Sequence, residues 1–505
     1  MTKDCHVLLL MPQPVRLADL ERYRQMNHEA AKRYHRSIRL ESPQTIQSML
    51  ANALEHHRVG RLNEAEELYR RILTVDPRQA DCLHLLGMIA YQAGHHEAAV
   101  EMIGRAIAIN SQGASYHTNL GTVLQSQGRL DESAESYQRA LTLNPTLAEV
   151  HTNLGNILQI QGKLEEAVAC HEKALELKPA LDEARYNLSL AQLLQGNFTS
   201  GWHNFEKRWH AEKFRMQMRH YPQARWAGEK LAAGRVLVWG EQGVGDEIMF
   251  AGLVPDVIRA GHRCLLDCDP RLQPLFARSF PGIDVISRHD AGHDPAMDIA
   301  THIPGGSLPG LFRSTLAAFA ETTSPYLRAD PIERERFRTR YAKLDSGRRR
   351  LIGLAWHTNN RQSGRYRSID LSSFAPLLAL PDIQWISLQY GDPDELENQA
   401  VSANASILID RSVDQFANID IFAAQIAALD MVITIDNSTA HLAGALGVSA
   451  WVLLPSVPDW RWLEDRENSL WYPTLRLFRQ TERGDWDSVV QEVLSELRGI
   501  ESRVV

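Results

Sequence analysis

Two different hydrophobic patterns divide the chain near residue 210. In the first part, small residues and bulky residues recur every 34 positions, each at a constant distance from a glycine with the same spacing. From Val236 onward, short apolar runs of strand length alternate with amphipathic segments of helical length. A 34-residue period is the length of one helix-turn-helix unit, so the first pattern predicts a solenoid of stacked helix pairs. The second pattern predicts parallel β-sheets connected by helices.

Four kinds of residue keep the same phase over about five helical repeats. The glycines are Gly60, Gly94, Gly128, Gly162 and Gly196. Small residues follow where the two helices of a repeat approach closely, at Ala65, Ala99, Ser133, Ala167 and Gly201. Bulky residues, which we expect to fill the gap between neighbouring repeats, follow at Tyr69, Ile103, Tyr137, His171 and Phe205. Proline, which cannot continue a helix, marks the turn into the next repeat at Pro77, Pro145 and Pro179. The segments resemble tetratricopeptide repeats, and we expect this half of the chain to bind a partner.

Asparagine recurs with the same period on the first helix of three successive repeats, at Asn119, Asn153 and Asn187. The first helices line the concave surface of such a solenoid, so we expect the three carboxamides in a row along its groove. A carboxamide has one acceptor and two donors, which match the N–H and C=O groups of any peptide backbone. The row resembles the asparagine ladder of the protein O-linked N-acetylglucosamine transferases, and this implies a grip on an extended polypeptide. In the alternative interpretation, the asparagines only tie adjacent repeats together.

Composition argues against several classes of protein. The net charge is −8, from 54 basic and 62 acidic residues, which lacks the basic footprint of a nucleic-acid-binding protein. The five cysteines are odd in number and scattered, so no disulfide framework is expected; Cys264 and Cys268 fall in an apolar run and should be buried thiols. The longest apolar stretch near the start, residues 7–11, is too short for a signal peptide or a membrane span. The sequence therefore predicts a cytoplasmic protein.

The second pattern contains six apolar runs that we predict to be strands. They are Val236–Trp239, Cys264–Asp267, Leu351–Trp356, Ile383–Leu388, Met431–Ile435 and Ala450–Leu454. Because they alternate with helices, we expect parallel sheets that bind ligands at the carboxyl ends of their strands. The arginine-rich stretch Ser346–Arg350 is predicted to be a hinge between two sheets. The predicted domains are an N-terminal segment 1–40 without an assigned role, repeats 41–212, a linker 213–233, and two Rossmann-like halves, 234–346 and 347–505, the second ending in a helix.

A glycine-rich loop follows the first predicted strand. It reads GEQGVGD over residues 240–246, and its GxxGxG spacing differs from the GxGxxG of a dinucleotide site. The lysine of a P-loop is also absent, and Asp246 at the start of the next helix would repel a phosphate. We therefore predict that this loop, with Gly243 and Gly245, serves a hydroxyl acceptor. Asp246 can act as a general base if acceptor binding desolvates it and raises its pKa; alternatively, it is only a helix N-cap.

A complementary anion site is predicted where strand Met431–Ile435 leads into a helix. The residues at this junction are Asp436, Asn437, Ser438, Thr439 and His441. Hydroxyl groups and free backbone N–H groups at a helix N-terminus suit a phosphate or pyrophosphate. The hydroxyls are alternatively simple caps. The histidine is expected to add a proton or a hydrogen bond, or else to be an ordinary helix residue.

Arginines follow the first predicted strand of the second half. Such a run is usually a solvated surface loop, but this one lies at the carboxyl end of a strand that faces the expected cleft. A guanidinium is permanently charged and binds phosphate oxygens in a bidentate manner. Arg367 is the predicted phosphate ligand, because the segment RSI, residues 367–369, immediately precedes the next predicted helix.

Residues 234–498 resemble the heptosyltransferase-type catalytic domain that is often fused to tetratricopeptide repeats in bacteria. The motifs that carry the resemblance are GEQGVGDEIMFAGLVP, PYLRAD, IGLAWHTNN, RSIDL, SLQYGD, AALDMVITIDNSTAHLAGALG, PDWRW, SLWYP, LFRQ and GDW. The resemblance implies a B-type glycosyltransferase fold of two Rossmann-like halves facing a cleft, the first on the acceptor side and the second on the donor side. It also implies that Asp246 is the catalytic base and that Arg367 and residues 436–441 bind the sugar nucleotide. The chain departs from the sugar-lipid enzymes at residues 437–439, where these tend to have a glycine-containing turn, so the identity of the donor does not transfer.

The sequence thus predicts an inverting, metal-independent glycosyltransferase that uses a nucleotide-sugar and has no cofactor. No cluster of histidine and aspartate has metal-ligand spacing, and a helix N-terminus with an arginine would stabilise the departing phosphate. The order of domains resembles that of bacterial flagellin glycosyltransferases, which implies a protein acceptor held by the repeats and modified on serine or threonine. Two alternatives remain: a glycan or lipid acceptor with repeats for assembly, or a non-catalytic tetratricopeptide adaptor.

Overall fold

The computed structural model describes residues 43–287, 298–322, 324–344, 350–359 and 364–502. The N-terminal segment 1–40 and most of the hinge predicted at 346–350 lie outside these ranges. Contacts group the chain into two compact units, one ending at Ala184 and the other beginning at Arg185. The domain boundaries predicted from the sequence stay predictions.

The helical part consists of paired α-helices in the predicted phase. Along the described chain the helices are α1 Pro43–Arg58, α2 Leu62–Val75, α3 Ala80–Gln92, α4 His96–Ile109, α5 Ala114–Ser126, α6 Leu130–Leu143, α7 Ala148–Ile160, α8 Leu164–Leu177, α9 Asp182–Leu194 and α10 Phe198–Phe205. The periodic glycines end the first helix of each pair with φ between +76° and +82°, a left-handed conformation that glycine adopts without a steric penalty. This is why the glycine is the most regular residue of the repeat.

The small and bulky positions of the repeat form its interior. Ala65, Ala99 and Ala167 are completely buried. The bulky residues pack partly as expected, but three of them also lie directly on a glycine of the first helix of their own repeat. A Cβ atom on Gly87, Gly121 or Gly155 would come within 2.7 Å of Ile103, Tyr137 or His171, respectively. The bulky residues therefore pack the two helices of one repeat against each other, in addition to filling the gap between repeats.

His171 is a polar residue at a position of the repeat interior where most repeats have an apolar or aromatic side chain. It is fully buried, and neither ring nitrogen has a hydrogen-bond partner among the residues that the structure describes. Tyrosine or phenylalanine occupies the equivalent position in three other repeats. We expect His171→Phe to increase the free energy of unfolding of this repeat by about 1–2 kcal/mol, because it removes two unsatisfied polar atoms. Hydrogen exchange of α8 in the full-length chain would measure the change.

The same histidine should make the repeat sensitive to acid. Burial lowers the pKa of His171 to about 4, from an ordinary value of 6.5. Between these values the unfolded chain binds a proton that the folded chain does not, so stability falls as the pH drops through this window. The phenylalanine variant should therefore lose less stability than the parent between about pH 7 and about pH 5. An identical pH dependence of exchange in α8 would contradict this explanation.

The second unit contains two parallel sheets. The first has the strands β1 Arg235–Trp239, β2 Arg263–Cys268, β3 Asp284–Ser287 and β4 Ile299–Pro304, in the order β3-β2-β1-β4. The second has the strands β5 Arg350–Ala355, β6 Ile383–Ser387, β7 Met431–Ile435, β8 Ala450–Leu454 and β9 Leu475–Arg479, in the order β6-β5-β7-β8-β9. All paired strands are parallel. The predicted fold class, a helical repeat solenoid followed by an α/β region of two parallel sheets, is confirmed, and the two sheets are consistent with the B-type glycosyltransferase fold.

The other described helices of the second unit precede, connect or follow these strands. They are α11 Glu212–Arg215, α12 Val244–Ala251, α13 Val254–Arg259, α14 Gln273–Ser279, α15 Leu308–Phe312, α16 Pro331–Leu344, α17 Gly364–Arg367, α18 Ala375–Leu378, α19 Pro393–Ser402, α20 Ile419–Ala427, α21 Ser438–Ala445 and α22 Trp486–Ser502. Part of the predicted linker joins the first sheet, because the Trp226 N–H donates to the His302 carbonyl at 2.8 Å beside β4. As predicted, Cys264 and Cys268 are buried thiols, on β2.

Candidate active site

The glycine-rich loop places Asp246 in the first turn of α12, at the carboxyl end of β1. Gly243 is the N-cap residue, and its backbone N–H donates to Asp246 Oδ2 at 3.2 Å. Asp246 is therefore the third residue of the helix and not the N-cap of the alternative interpretation, although it does satisfy a free N–H group of the helix end. About a fifth of its side chain remains exposed.

The second carboxylate oxygen of Asp246 is bound by an arginine from the other half of the unit. Arg461 lies in a single 3-10 turn, Trp460–Trp462, that follows β8, and its Nη2 donates to Asp246 Oδ1. Its Nη1 donates to Oδ1 of Asp459, the N-cap residue of this turn. Neither residue was assigned a role from the sequence. The signal was the motif PDWRW, which contains both but shows no helical or strand periodicity.

Arg367 extends this group of charges. It ends α17, after β5, and its Nη1 lies 2.8 Å from Asp436 Oδ2. Its Nη2 lies 3.3 Å from Asp459 Oδ2. We call the five side chains the charged cluster: Asp246, Arg367, Asp436, Asp459 and Arg461. Three residues of the predicted site, Asp246, Arg367 and Asp436, are thus connected by Asp459 and Arg461, which the sequence did not indicate.

Helix α21 begins beside the charged cluster. Asn437 is its N-cap, because the Asn437 Oδ1 accepts the Thr439 N–H at 2.9 Å and the Thr434 hydroxyl at 3.0 Å. The side chain that caps α21 is therefore that of Asn437, and the alternative role of Ser438 and Thr439 as caps is wrong. Ser438, at the first helical position, is half-buried.

His441, one turn into α21, is buried against aromatic rings. Its Nδ1 lies 3.0 Å from the Tyr472 hydroxyl, and its ring stacks on Trp462 with centroids 5.4 Å apart. Burial, helped by Arg461, lowers the pKa of His441 to about 3, so the imidazole is neutral at physiological pH. This arrangement suits a hydrogen-bonding role and not delivery of a proton.

The two helix starts approach each other at Gly245. A Cβ atom on this residue would lie 3.0 Å from His441 Cδ2 and 3.6 Å from the Ser438 Cα. A side chain would push α12 away from α21, so the glycine explains how Asp246 comes to face the second half. At Gly243 a Cβ atom would be 3.6 Å from Asp246 Oδ2, an ordinary contact.

The charged cluster has three carboxylates and two guanidiniums, and burial affects their protonation. Burial raises the pKa of Asp246, and Arg461 opposes this effect. Burial also raises the pKa of Asp436, against the influence of Arg367. At Asp459 burial acts in the same direction, but Arg461 and Arg367 outweigh it and lower the pKa to about 2. Asp459 is therefore the permanent counter-ion, whereas burial raises the pKa of both Asp246 and Asp436. Of these two, Asp246 is the carboxylate that an acceptor can reach, because 21% of its side chain is exposed against 4% for Asp436.

A buried ion pair fixes Glu241 of the glycine-rich loop to the end of the helical part of the chain. Arg208, in the 3-10 turn Glu206–His210 that follows α10, donates to both carboxylate oxygens of Glu241 at 2.9 and 2.6 Å. Glu241 also accepts the Gly306 N–H at 2.8 Å. The loop that carries Asp246 is thus anchored on two sides within the second unit.

The three asparagines of the predicted ladder are half-buried. Asn119 Nδ2 lies 2.7 Å from His84 Nε2 on the first helix of the preceding repeat. Asn153 interacts with the Tyr137 hydroxyl. These contacts are of the kind that the alternative interpretation requires for the first two positions, and the ladder stays a prediction.

Two further properties concern only the described part of the chain. No described helix is long and apolar enough to cross a membrane. No group of three or more histidine, cysteine, aspartate or glutamate side chains in the described ranges is arranged to hold a metal ion.

Comparison with known proteins supports the repeats directly. Family models described as tetratricopeptide repeat match residues 80–112 and 111–180. Protein FlbA of Caulobacter vibrioides is 30% identical over 323 residues, which cover 61% of this chain and 53% of FlbA. The chain therefore spans about half the length of this curated relative. It is a tetratricopeptide-repeat protein with a C-terminal α/β region of two parallel sheets, and a distant homologue of FlbA.

Similar solved structures cover about a third of the chain. MamA is 22% identical, with a TM-score of 0.30, over 33% of this chain and 97% of MamA. YrrB, described as a tetratricopeptide-repeat protein with an unusual peptide-binding site, is 22% identical, with a TM-score of 0.30, over 33% of this chain and 87% of YrrB.

Proposed function

We propose that this protein is an inverting glycosyltransferase that moves a sugar from a nucleotide-sugar donor to a hydroxyl group of a protein acceptor. The observation that carries the proposal is the position of Asp246, which faces the start of α21 and shares one charged cluster with Arg367. A base and an anion site that meet between two parallel α/β halves suit the transfer of a group from a phosphate to a hydroxyl.

The reaction follows from these positions. Asp246 takes the proton of the acceptor hydroxyl, whose oxygen attacks the anomeric carbon as the bond to the donor phosphate breaks. Arg367 and the N-terminus of α21 stabilise the negative charge that develops on the departing nucleoside diphosphate. Attack on the side opposite the leaving group inverts the anomeric configuration.

The repeats supply the acceptor in this proposal. A solenoid offers a long concave surface, and the half-buried asparagines leave part of each carboxamide accessible. A flagellin modified on serine or threonine is the acceptor that the domain order suggests. The competing functions are transfer to a glycan or lipid, and a non-catalytic adaptor.

The function is tested by supplying the purified full-length protein with a set of nucleotide-sugars and candidate acceptors. Mass spectrometry of flagellin from strains with and without the protein identifies an acceptor and its modified residues. Sugar on a serine or threonine that depends on this protein supports the proposal. Transfer only to a glycan or lipid would favour the first competing function, and absence of any transfer would favour the adaptor.

The role of the asparagines makes a separate prediction. Replacing Asn119, Asn153 and Asn187 by alanine removes several hydrogen bonds to an acceptor backbone, each worth about 0.5–1.5 kcal/mol. Acceptor affinity should fall about tenfold or more, while nucleotide-sugar affinity is unchanged. Calorimetric titration with each ligand measures both affinities.

The matched control is the double variant Gln138→Ala and Glu172→Ala, at exposed positions one period apart on the second helices. It should leave both affinities unchanged. If the asparagines only tie repeats together, the triple variant will have a lower melting temperature, because His84 loses its contact with Asn119. The variant protein that remains folded will then bind the acceptor with normal affinity.

A further inference from the structure

Arg461 links Asp246 to the rest of the charged cluster, and its two terminal nitrogens bind different carboxylates. Nη1 binds Asp459, which is the N-cap residue of the same 3-10 turn and also accepts the Arg461 backbone N–H at 3.3 Å. Nη2 binds Asp246, which belongs to the other half of the unit. One contact is therefore local and fixed by the turn, whereas the other depends on how the two halves approach.

Arg367 has a similar arrangement. It is held between Asp436 at the end of β7 and Asp459 in the turn after β8. Both guanidiniums thus lie beyond the carboxyl ends of parallel strands, next to the N-terminus of α21, where ligands bind in folds of this type. A planar guanidinium fork that keeps one carboxylate can offer its other edge to phosphate oxygens.

We propose that Arg461 is a ligand of the donor's diphosphate and that, in the empty protein, Asp246 takes the place of a phosphate oxygen on its Nη2 edge. This inference rests on the proposed function, because it assigns a residue and an order of events to the same site. Binding of the diphosphate displaces Asp246 from Arg461, while Asp459 continues to orient the guanidinium. The base becomes free for the acceptor hydroxyl only when the donor is in place.

A purely positioning role for Arg461 predicts different results. In that case Arg461 only orients Asp246, and neither residue affects the binding of a diphosphate. If the carboxylate competes with phosphate, removal of its charge must strengthen diphosphate binding even though it abolishes the base. The two roles therefore differ in the sign of one measurable effect.

The experiment is a calorimetric titration of the full-length protein with inorganic pyrophosphate and with ADP, GDP and UDP. Arg461→Gln should weaken binding of the tightest of these probes about tenfold or more, because it removes charge-assisted hydrogen bonds. Asp246→Asn should bind the same probe about three- to tenfold more tightly, because the competing charge is gone. The matched controls are Arg476→Gln and Glu496→Gln, which alter an ion pair of 2.8 Å on the exposed surface, and both should bind like the parent.

Either of two results overturns the inference: unchanged or weaker diphosphate binding by a folded Asp246→Asn variant, or unchanged binding by Arg461→Gln. If Arg461→Gln does not fold, the asparagine variant still decides the question, because Arg461 keeps Asp459 as its counter-ion. Failure of the inference differs from failure of the proposed function. Sugar transfer with unaltered diphosphate affinities contradicts the inference alone, whereas the expected affinities without any transfer contradict the function alone.

Discussion

Asp246→Asn should reduce the turnover number for sugar transfer about 100-fold or more, the loss expected when a general base is removed. The amide oxygen can still accept the Gly243 N–H, so α12 keeps its capping interaction. Burial raises the pKa of Asp246, and Arg461 opposes this effect by binding the charged carboxylate. Initial rates of transfer at saturating donor and acceptor would measure the effect.

The control for this variant is Glu496→Gln, which removes a carboxylate that is paired with Arg476 far along the chain from the cluster. It should transfer sugar at the parental rate. Near-normal turnover by an Asp246→Asn protein with a parental melting temperature would rule out Asp246 as the base.

The largest expected effect on stability belongs to the ion pair behind the glycine-rich loop. The Arg208 and Glu241 side chains are completely buried, and the guanidinium contacts both carboxylate oxygens. Arg208→Met leaves Glu241 buried without a counter-ion, which typically costs about 3–5 kcal/mol when one partner of such a pair is removed. Urea unfolding followed by hydrogen exchange of α12 and β1 would measure the loss in the second unit.

Two further variants separate the pair from the loss of side-chain packing. Arg476→Met breaks an exposed pair and should cost less than about 1 kcal/mol. The double variant Arg208→Met and Glu241→Gln removes both charges and should recover part of the stability, because no buried charge remains unpaired. A single Arg208→Met variant as stable as the parent would show that the pair contributes little to folding.

The ion pair also joins the end of the helical part of the chain to the glycine-rich loop. Arg208 directly follows α10, the last helix of the solenoid, and Glu241 directly follows β1 in the loop that carries Asp246. The last repeat therefore belongs to the second unit and supports its loop.

The strands show which elements the local sequence pattern predicts and which it misses. All six predicted strands are present, and each of their ends is shifted by at most one residue. The three that the sequence did not indicate, β3, β4 and β9, all lie at sheet edges. In these three strands polar or charged residues interrupt the apolar run, as in DVIS, IATHIP and LRLFR, whereas the other edge strand, β6, reads IQWIS and is followed by Leu388.

The sequence by itself determined the solenoid, the alternation of strands and helices and the positions of Asp246, Arg367 and the start of α21, because each depends on residues near one another in the chain. A 34-residue period and a glycine with positive φ are local requirements that any stacked repeat must meet. Only the tertiary structure decided that Arg461 holds Asp246 and that Arg208 holds Glu241. These partners are separated by 215 and 33 residues, respectively, and their pairing follows from how distant elements pack, because a charged side chain carries no periodic signal of the partner it will meet.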